Sequence, residues 1–147
     1  MKNIFTILAL TIGFSMNAQM DDNSSNCFAS GNYSVAMGDN TTAYGIASTA
    51  MGRYTIASGT VSTAMGGYTT ASGNYSTAMG RSTTASDYGS LVIGRFNSSG
   101  STVTSDATSF DIANTAFVIG NGVGSLNTSD AFKVMFNGDA TVGNDLT

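Results

Sequence analysis

Chemistry at neutral pH needs a titratable or nucleophilic group held beside a partner, and this chain is short of both. It has no His and one Cys, Cys27, among 147 residues. The first absence removes the commonest general base and a common zinc ligand; the single thiol excludes an intrachain disulfide and a cysteine-based zinc site. Cys27 therefore reads as an inert or oligomer-linking thiol. Paired carboxylates could share acid and base roles. However, Asp21, Asp22, Asp106 and Asp111 stand in polar stretches and read as solvated. Gly120-Asn-Gly-Val-Gly124 follows an apolar run as a phosphate-binding loop does. That mechanism needs a helix N-terminus directly afterwards, and Ser125-Leu-Asn-Thr-Ser129 does not open one. Calcium is not expected either, because the Asp-rich glycine nonapeptides of calcium-binding β-helices are absent. No enzyme activity, cofactor or metal is expected.

Composition narrows the class further. Charged residues make up 10% of the chain, against roughly 25% in ordinary soluble domains. The formal net charge of -4 and the scattered cations give no footprint for a nucleic-acid backbone. Residues 1–18 read as a secretory signal: Lys2, an apolar run from Ile4 to Phe14, and a small-residue exit at Ser15-Met-Asn-Ala18. The apolar run is about half of the roughly 20 residues that a membrane-spanning helix needs. Residues 19–30 form a lead-in. The expected destination is outside the cell or on its surface.

What must position any functional side chain here is a repeat. Four units of fourteen align without a gap, beginning at Gly31, Gly45, Gly59 and Gly73, and a degenerate fifth runs from Asp87 to Gly100. Within the units the fourth residue is Ser (Ser34, Ser48, Ser62, Ser76, Ser90), the sixth is Ala until Val92, the seventh is Met until Ile93, and the eighth is Gly. Thr holds the eleventh place and Ala the thirteenth in the first four units. The alternation within each half has a period of two, which belongs to strands. Fourteen residues hold two short strands and two turns, and stacked units rise about 4.8 Å per coil. The turns are expected at the glycines of the eighth place, Gly38, Gly52, Gly66, Gly80 and Gly94, and near Tyr44-Gly45.

Side-chain size decides which face is inside. Ser34, Ala36, Ala50, Ala64 and Ala78 on one strand, and Ala43, Ala57, Ala71 and Ala85 on the other, are expected to line a very thin roll interior. The opposite face of the first strand then carries an apolar stripe: Met37, Met51, Met65, Met79 and Ile93, with Val35 and Leu91 beside it. A lone roll in water forgoes the roughly 1.5 to 3 kcal/mol that burying each such side chain is worth, so a closed cyclic assembly around the stripe is expected. The competing arrangement places Met inside a wider solenoid. Arg53, Arg81 and Arg95 recur at the ninth place and stack along one edge; they read as solubilising, with an anionic matrix component as the other reading.

Ser-x-Ala-Met-Gly paired with Thr-x-Ala-Ser-Gly at this period, clearest at Ser76-Thr-Ala-Met-Gly80, resembles the head repeat of YadA-like trimeric autotransporter adhesins over about residues 27–100. The resemblance implies an all-β, left-handed parallel β-roll that forms a homotrimer on its apolar strand face and is displayed on a bacterial surface or outer membrane. It also implies that the Met stripe lines the trimer interior. The family usually has Val or Ile where this chain has Met, a softer filling. No heptad stalk or closing membrane strands are visible in the sequence, so anchoring is expected through release, another chain or a longer protein.

Residues 101–147 break the period. Ser101 to Asn114 is polar, and Ala116-Phe-Val-Ile-Gly120 echoes Ser90-Leu-Val-Ile-Gly94 as a capping coil does. The runs flanking Asn137-Gly138 are expected to form a neck-like hairpin with a two-residue turn. The expected function is that of a structural and adhesive surface protein contacting a host, matrix or neighbouring cell. The alternative is an ice-binding solenoid using the ladder Thr49, Thr63 and Thr77.

Overall fold

The computed structural model describes residues 26–143, and within them the chain is all-β with no helix. The expected signal segment, 1–18, and most of the expected lead-in lie outside the described residues. Two-residue strands Phe28–Ala29 (β1), Thr42–Ala43 (β3), Ile56–Ala57 (β5), Thr70–Ala71 (β7) and Thr84–Ala85 (β9) alternate with five-residue strands Val35–Asp39 (β2), Thr49–Arg53 (β4), Thr63–Gly67 (β6), Thr77–Arg81 (β8) and Leu91–Arg95 (β10). Each pairs in parallel with its counterpart one unit on, so that Ala36 faces Ala50, Ala50 faces Ala64 and Ala64 faces Ala78. The result is a β-solenoid of about five coils. The short strands form a five-stranded sheet, while the long ones continue through Thr115–Asn121 (β11), Asp130–Met135 (β12) and Ala140–Val142 (β13) into an eight-stranded sheet.

Each coil consists of two nearly equivalent halves of seven residues. The third and tenth places are the corners, and both take the left-handed conformation, as at Ala47 (φ 53°) and Tyr54 (φ 53°). That conformation turns the corner N–H along the roll axis. Ala47 N–H then donates to Asn32 O at 2.7 Å, and Tyr54 N–H to Asp39 O at 2.8 Å. The corners are thereby included in the backbone ladder, which repays the cost of a non-glycine residue in that region.

The interior between the sheets is as thin as side-chain size demands. Ala36, Ala50, Ala64, Ala78, Ala43, Ala57, Ala71 and Ala85 expose no surface, and Ser34, Ser48, Ser62 and Ser76 expose at most 1%. Ser34 Oγ donates to Gly31 O at 2.6 Å, so the buried hydroxyl closes its own corner. Methionine is absent from this interior; the wider solenoid with Met inside is not formed.

The glycines of the eighth place correct an expectation. Gly38, Gly52, Gly66, Gly80 and Gly94 are not in the turns but inside β2, β4, β6, β8 and β10. All have positive φ, between 96° and 121°. A methyl group on Gly52 would overlap the carbonyl of Gly66 on the next coil. Glycine is required there by rung-to-rung contact as well as by conformation. The corner itself falls two residues later, at Asn40, Tyr54, Tyr68, Ser82 and Phe96.

The fifth unit is degenerate because the stack ends there. β10 pairs with β11 in parallel, Leu91 opposite Phe117 and Gly94 opposite Gly120, across a spacing twelve residues longer than the repeat. With the surplus looped out, side chains replace backbone that the next coil would have supplied. Asn97, where earlier units have Thr, accepts from Thr84 N–H at 2.8 Å and donates to Thr84 O at 3.0 Å, covering the open edge of β9. Asp87, where earlier units have Gly, is fully buried and accepts from the N–H groups of Thr104 and Thr115 at 2.5 and 2.7 Å. β12 and β13 then run antiparallel to their neighbours. Four residues, 136–139, lie between them, and because Met135 N–H donates to Asp139 O at 2.8 Å the loop proper is Phe136-Asn137-Gly138 rather than the expected two residues. Val134 lies opposite Ala140, and Gly138 (φ 93°) takes the left-handed position of a three-residue hairpin loop.

The looped-out segment is held by two aspartates. Asp106 accepts from Thr108 N–H and Oγ1 and from Ser109 N–H, and Asp111 from Ala113 N–H and Ser105 Oγ. These donors hold both carboxyls below the ordinary 3.8; the backbone N–H of Thr108 is the first cause at Asp106 and that of Ala113 at Asp111. A depressed native value means that the stabilisation is fully present above the unfolded value and is lost as pH falls through the native one. NMR titration is expected to place both midpoints below 3.8, with the Thr108 and Ala113 amide shifts following them. In urea unfolding, Gly52→Ala is expected to lose at least about 2 kcal/mol from strain and overlap together. Gly67→Ala, whose added methyl meets nothing within 4 Å, is expected to stay within about 1 kcal/mol of the parent.

Candidate functional site

With the interior filled by alanine, every large side chain of the repeat is directed outward. On the eight-stranded sheet, Met37, Met51, Met65 and Met79 stand opposite one another rung by rung, each half-buried or, at Met65, 38% exposed. The adjacent row is Val35, Thr49, Thr63, Thr77 and Leu91. Ile93 follows at the seventh place of the fifth unit and pairs with Ile119.

The stripe is longer than the repeat. Across the loop, Leu91 is followed by Phe117, Val134 and Ala140, and Ile93 by Ile119, Phe132 and Val142, because directly opposed residues share a face. Phe117 and Phe132 meet edge to face at 6.2 Å. These residues were not among the expected interface positions. The signal was present in the alternations Phe117-x-Ile119 and Phe132-x-Val134, but the interrupted period hid their register.

The threonine ladder has three rungs. Thr49, Thr63 and Thr77 are half-buried, bounded by Val35 at one end and Leu91 at the other, and flanked throughout by the methionines. This is a narrow hydroxyl row set within an apolar face, not a flat hydroxyl array.

A different chemistry occupies the edge where the long strands end. The ninth place carries Asp39, Arg53, Gly67, Arg81 and Arg95, and the tenth, at the corner, carries Asn40, Tyr54, Tyr68, Ser82 and Phe96. Tyr54 and Tyr68 are stacked at 4.9 Å and 12°. The Arg53 guanidinium lies over Tyr54 at 5.0 Å and contacts Asp39 at 3.3 Å. Arg53 is held above its ordinary value, first by Tyr68 and next by the hydrogen bond to Asp39. Arg81 and Arg95 face each other across adjacent rungs and both lie 5.6 Å from the Phe96 ring. Among the described residues, Arg53 to Asp39 is the one ion pair.

Cys27 is half-buried at the open end of the roll, where Thr41 Oγ1 donates to its sulfur at 3.3 Å. Gly120 and Gly124 lie at the end of β11 and in the loop after it, and no helix follows. The surfaces available are an apolar stripe and a cationic, aromatic edge.

Neither the curated proteins nor the solved structures gave a match to this chain. The family model described as the YadA head domain repeat, in two copies, matches residues 29–55, 57–83 and 71–97. Those matches span the coils from β1 to β10, and the unit that they repeat is the one whose alanines and glycines close the roll. Residues 29–97 of this chain are YadA-like head repeats, stacked as a β-solenoid.

Proposed function

We propose that this chain is an exported adhesive surface protein of the trimeric autotransporter adhesin kind. In this reading three copies pack their methionine stripes against one another and present their outer corners to a host, matrix or neighbouring cell. The observation that carries the reading is the continuous apolar stripe on a roll with no room inside for it. Fully burying a Met or Ile is worth about 1.5 to 3 kcal/mol; half of that area is already covered, so each gains roughly 1 kcal/mol on assembly. Five such residues barely match an association cost of about 4 to 15 kcal/mol. Adding Leu91, Phe117, Phe132, Val134 and Ile119 roughly doubles the gain and brings it to the middle of that range.

The head-repeat match supports the adhesive reading, in which the outer surface makes contact with other material. The threonine row, narrow and shared with the methionines, supports the assembly reading better than an ice-binding one. With interior and stripe both occupied, the residues left to contact partners are those of the corners and of the outer face of the short strands, Thr42, Ile56, Thr70 and Thr84.

Light scattering of the purified chain tests the assembly: three times the chain mass is expected, and a monomeric mass at micromolar concentration overturns it. Met65→Lys puts a charge at mid-stripe on a half-open position outside the roll. It is expected to yield monomer with strand circular dichroism retained. A trimer that tolerates Met65→Lys rejects the stripe as the interface.

A further inference from the structure

We infer that the arginine and aromatic edge formed by Arg53, Tyr54, Tyr68, Arg81, Arg95 and Phe96 is a binding site for a linear acidic polysaccharide lying along the roll axis. It rests on the surface-contact reading above and names the ligand class. Five cations occur in the whole chain against nine acids, and three of them share this one row. Random solubilising charge has no reason to collect there. Arg81 and Arg95 lie directly opposite on neighbouring rungs, about 4.8 Å apart along the axis, where like charges destabilise a sheet. No acidic side chain among the described residues lies within ion-pair distance of either. An external anion between them relieves that repulsion.

The geometry also prepares the arginines. Both guanidiniums lie against the single ring of Phe96, and Arg53 lies against Tyr54, so each planar group is partly ordered; Arg53 donates to Asp39 and Arg95 to Val123 O, each through one nitrogen, which leaves their other N–H groups and those of the exposed Arg81 for a ligand. A guanidinium presented in this way matches a carboxylate or sulfate with two parallel hydrogen bonds. The left-handed corners place Tyr54, Tyr68 and Phe96 beside the cations, where the rings cover one another or the guanidiniums and so hold the row in place. From Arg53 to Arg95 the row spans three rungs, about 14 Å, long enough for several charged sugars to engage together. Asp39 at the far end repels an anion and biases the polymer towards Arg81 and Arg95.

A single-stranded nucleic acid is the other linear polyanion. Its bases need open aromatic faces, whereas Tyr54 and Tyr68 already cover each other; an acidic sugar chain is held through the guanidiniums and needs no such faces.

The test is equilibrium binding of the full chain to polygalacturonate, neutral dextran and oligothymidylate. Polygalacturonate is expected to bind preferentially and to weaken as salt rises. Arg81→Ala with Arg95→Ala is expected to lower its affinity at least tenfold, and Arg81→Lys with Arg95→Lys to restore it only in part. Both variants alter exposed side chains, and unchanged thermal melting shows that the roll is intact. Equal binding to dextran, tighter binding to oligothymidylate, or no effect of the alanine pair overturns the site. Oligomer mass is read on the same samples: a trimer that binds no polygalacturonate rejects the ligand alone, whereas a monomer rejects the assembly.

Discussion

Backbone contact between successive coils at positions without a side chain governs this structure. At the first and eighth places the chain passes so near the carbonyl of the next coil that a methyl group on Gly45 or Gly52 does not fit. That contact holds the rungs in register, and the left-handed corners send the intervening N–H groups along the same axis. The coil is hydrogen-bonded along nearly its whole length, so its stability comes from a repeated backbone ladder and close packing of small groups more than from a hydrophobic core. The alanines of the sixth and thirteenth places follow from this. Two sheets drawn together by such short corners leave space only for small side chains: Ala and Ser, the Thr of the eleventh place, and Val92 in the last coil.

A roll built in this way separates two tasks that a globular domain usually combines. The interior specifies the fold and has no capacity for methionine, so Met37 to Met79 are displaced to one outer face, where they form a continuous apolar row. The polar and aromatic residues are displaced to the corners, where a change of side chain leaves the ladder untouched. Arg53, Gly67 and Arg81 occupy equivalent positions with quite different chemistry, and the backbone accommodates each.

What the sequence made legible follows from the same separation. The period of fourteen and the small-large alternation placed Ala36 inward and Met37 outward, since strand parity and side-chain volume suffice for that. The role of Gly38 was misjudged because glycine marks turns in most proteins, and its contact with Gly52 exists only once the coils are stacked. The path beyond Gly100 was only partly visible. A loop of unequal length breaks the period, and the pairing of Leu91 with Phe117 depends on how β11 returns to the stack. The extension of the stripe onto Phe132 and Val134 was hidden for the same reason.

The end of the repeat follows from the physics of stacking. A solenoid must finish without leaving an open edge that invites another strand. Repeating the consensus cannot achieve this, because the Gly of the first place and the Thr of the eleventh are too short to reach the groups that a missing neighbour leaves unpaired. The fifth unit replaces them with residues whose side chains carry the absent groups: Asn97 presents an amide to β9, and Asp87 presents a carboxylate to the N–H groups of Thr104 and Thr115. These side chains fit because the next coil is no longer stacked one repeat away. Degeneracy at this point therefore marks a structural ending, and the antiparallel hairpin that follows carries the apolar stripe past it. A segment that closes the roll thereby treats its two sheets differently: the short-strand sheet stops at β9, and the long-strand sheet with its apolar stripe continues through β13.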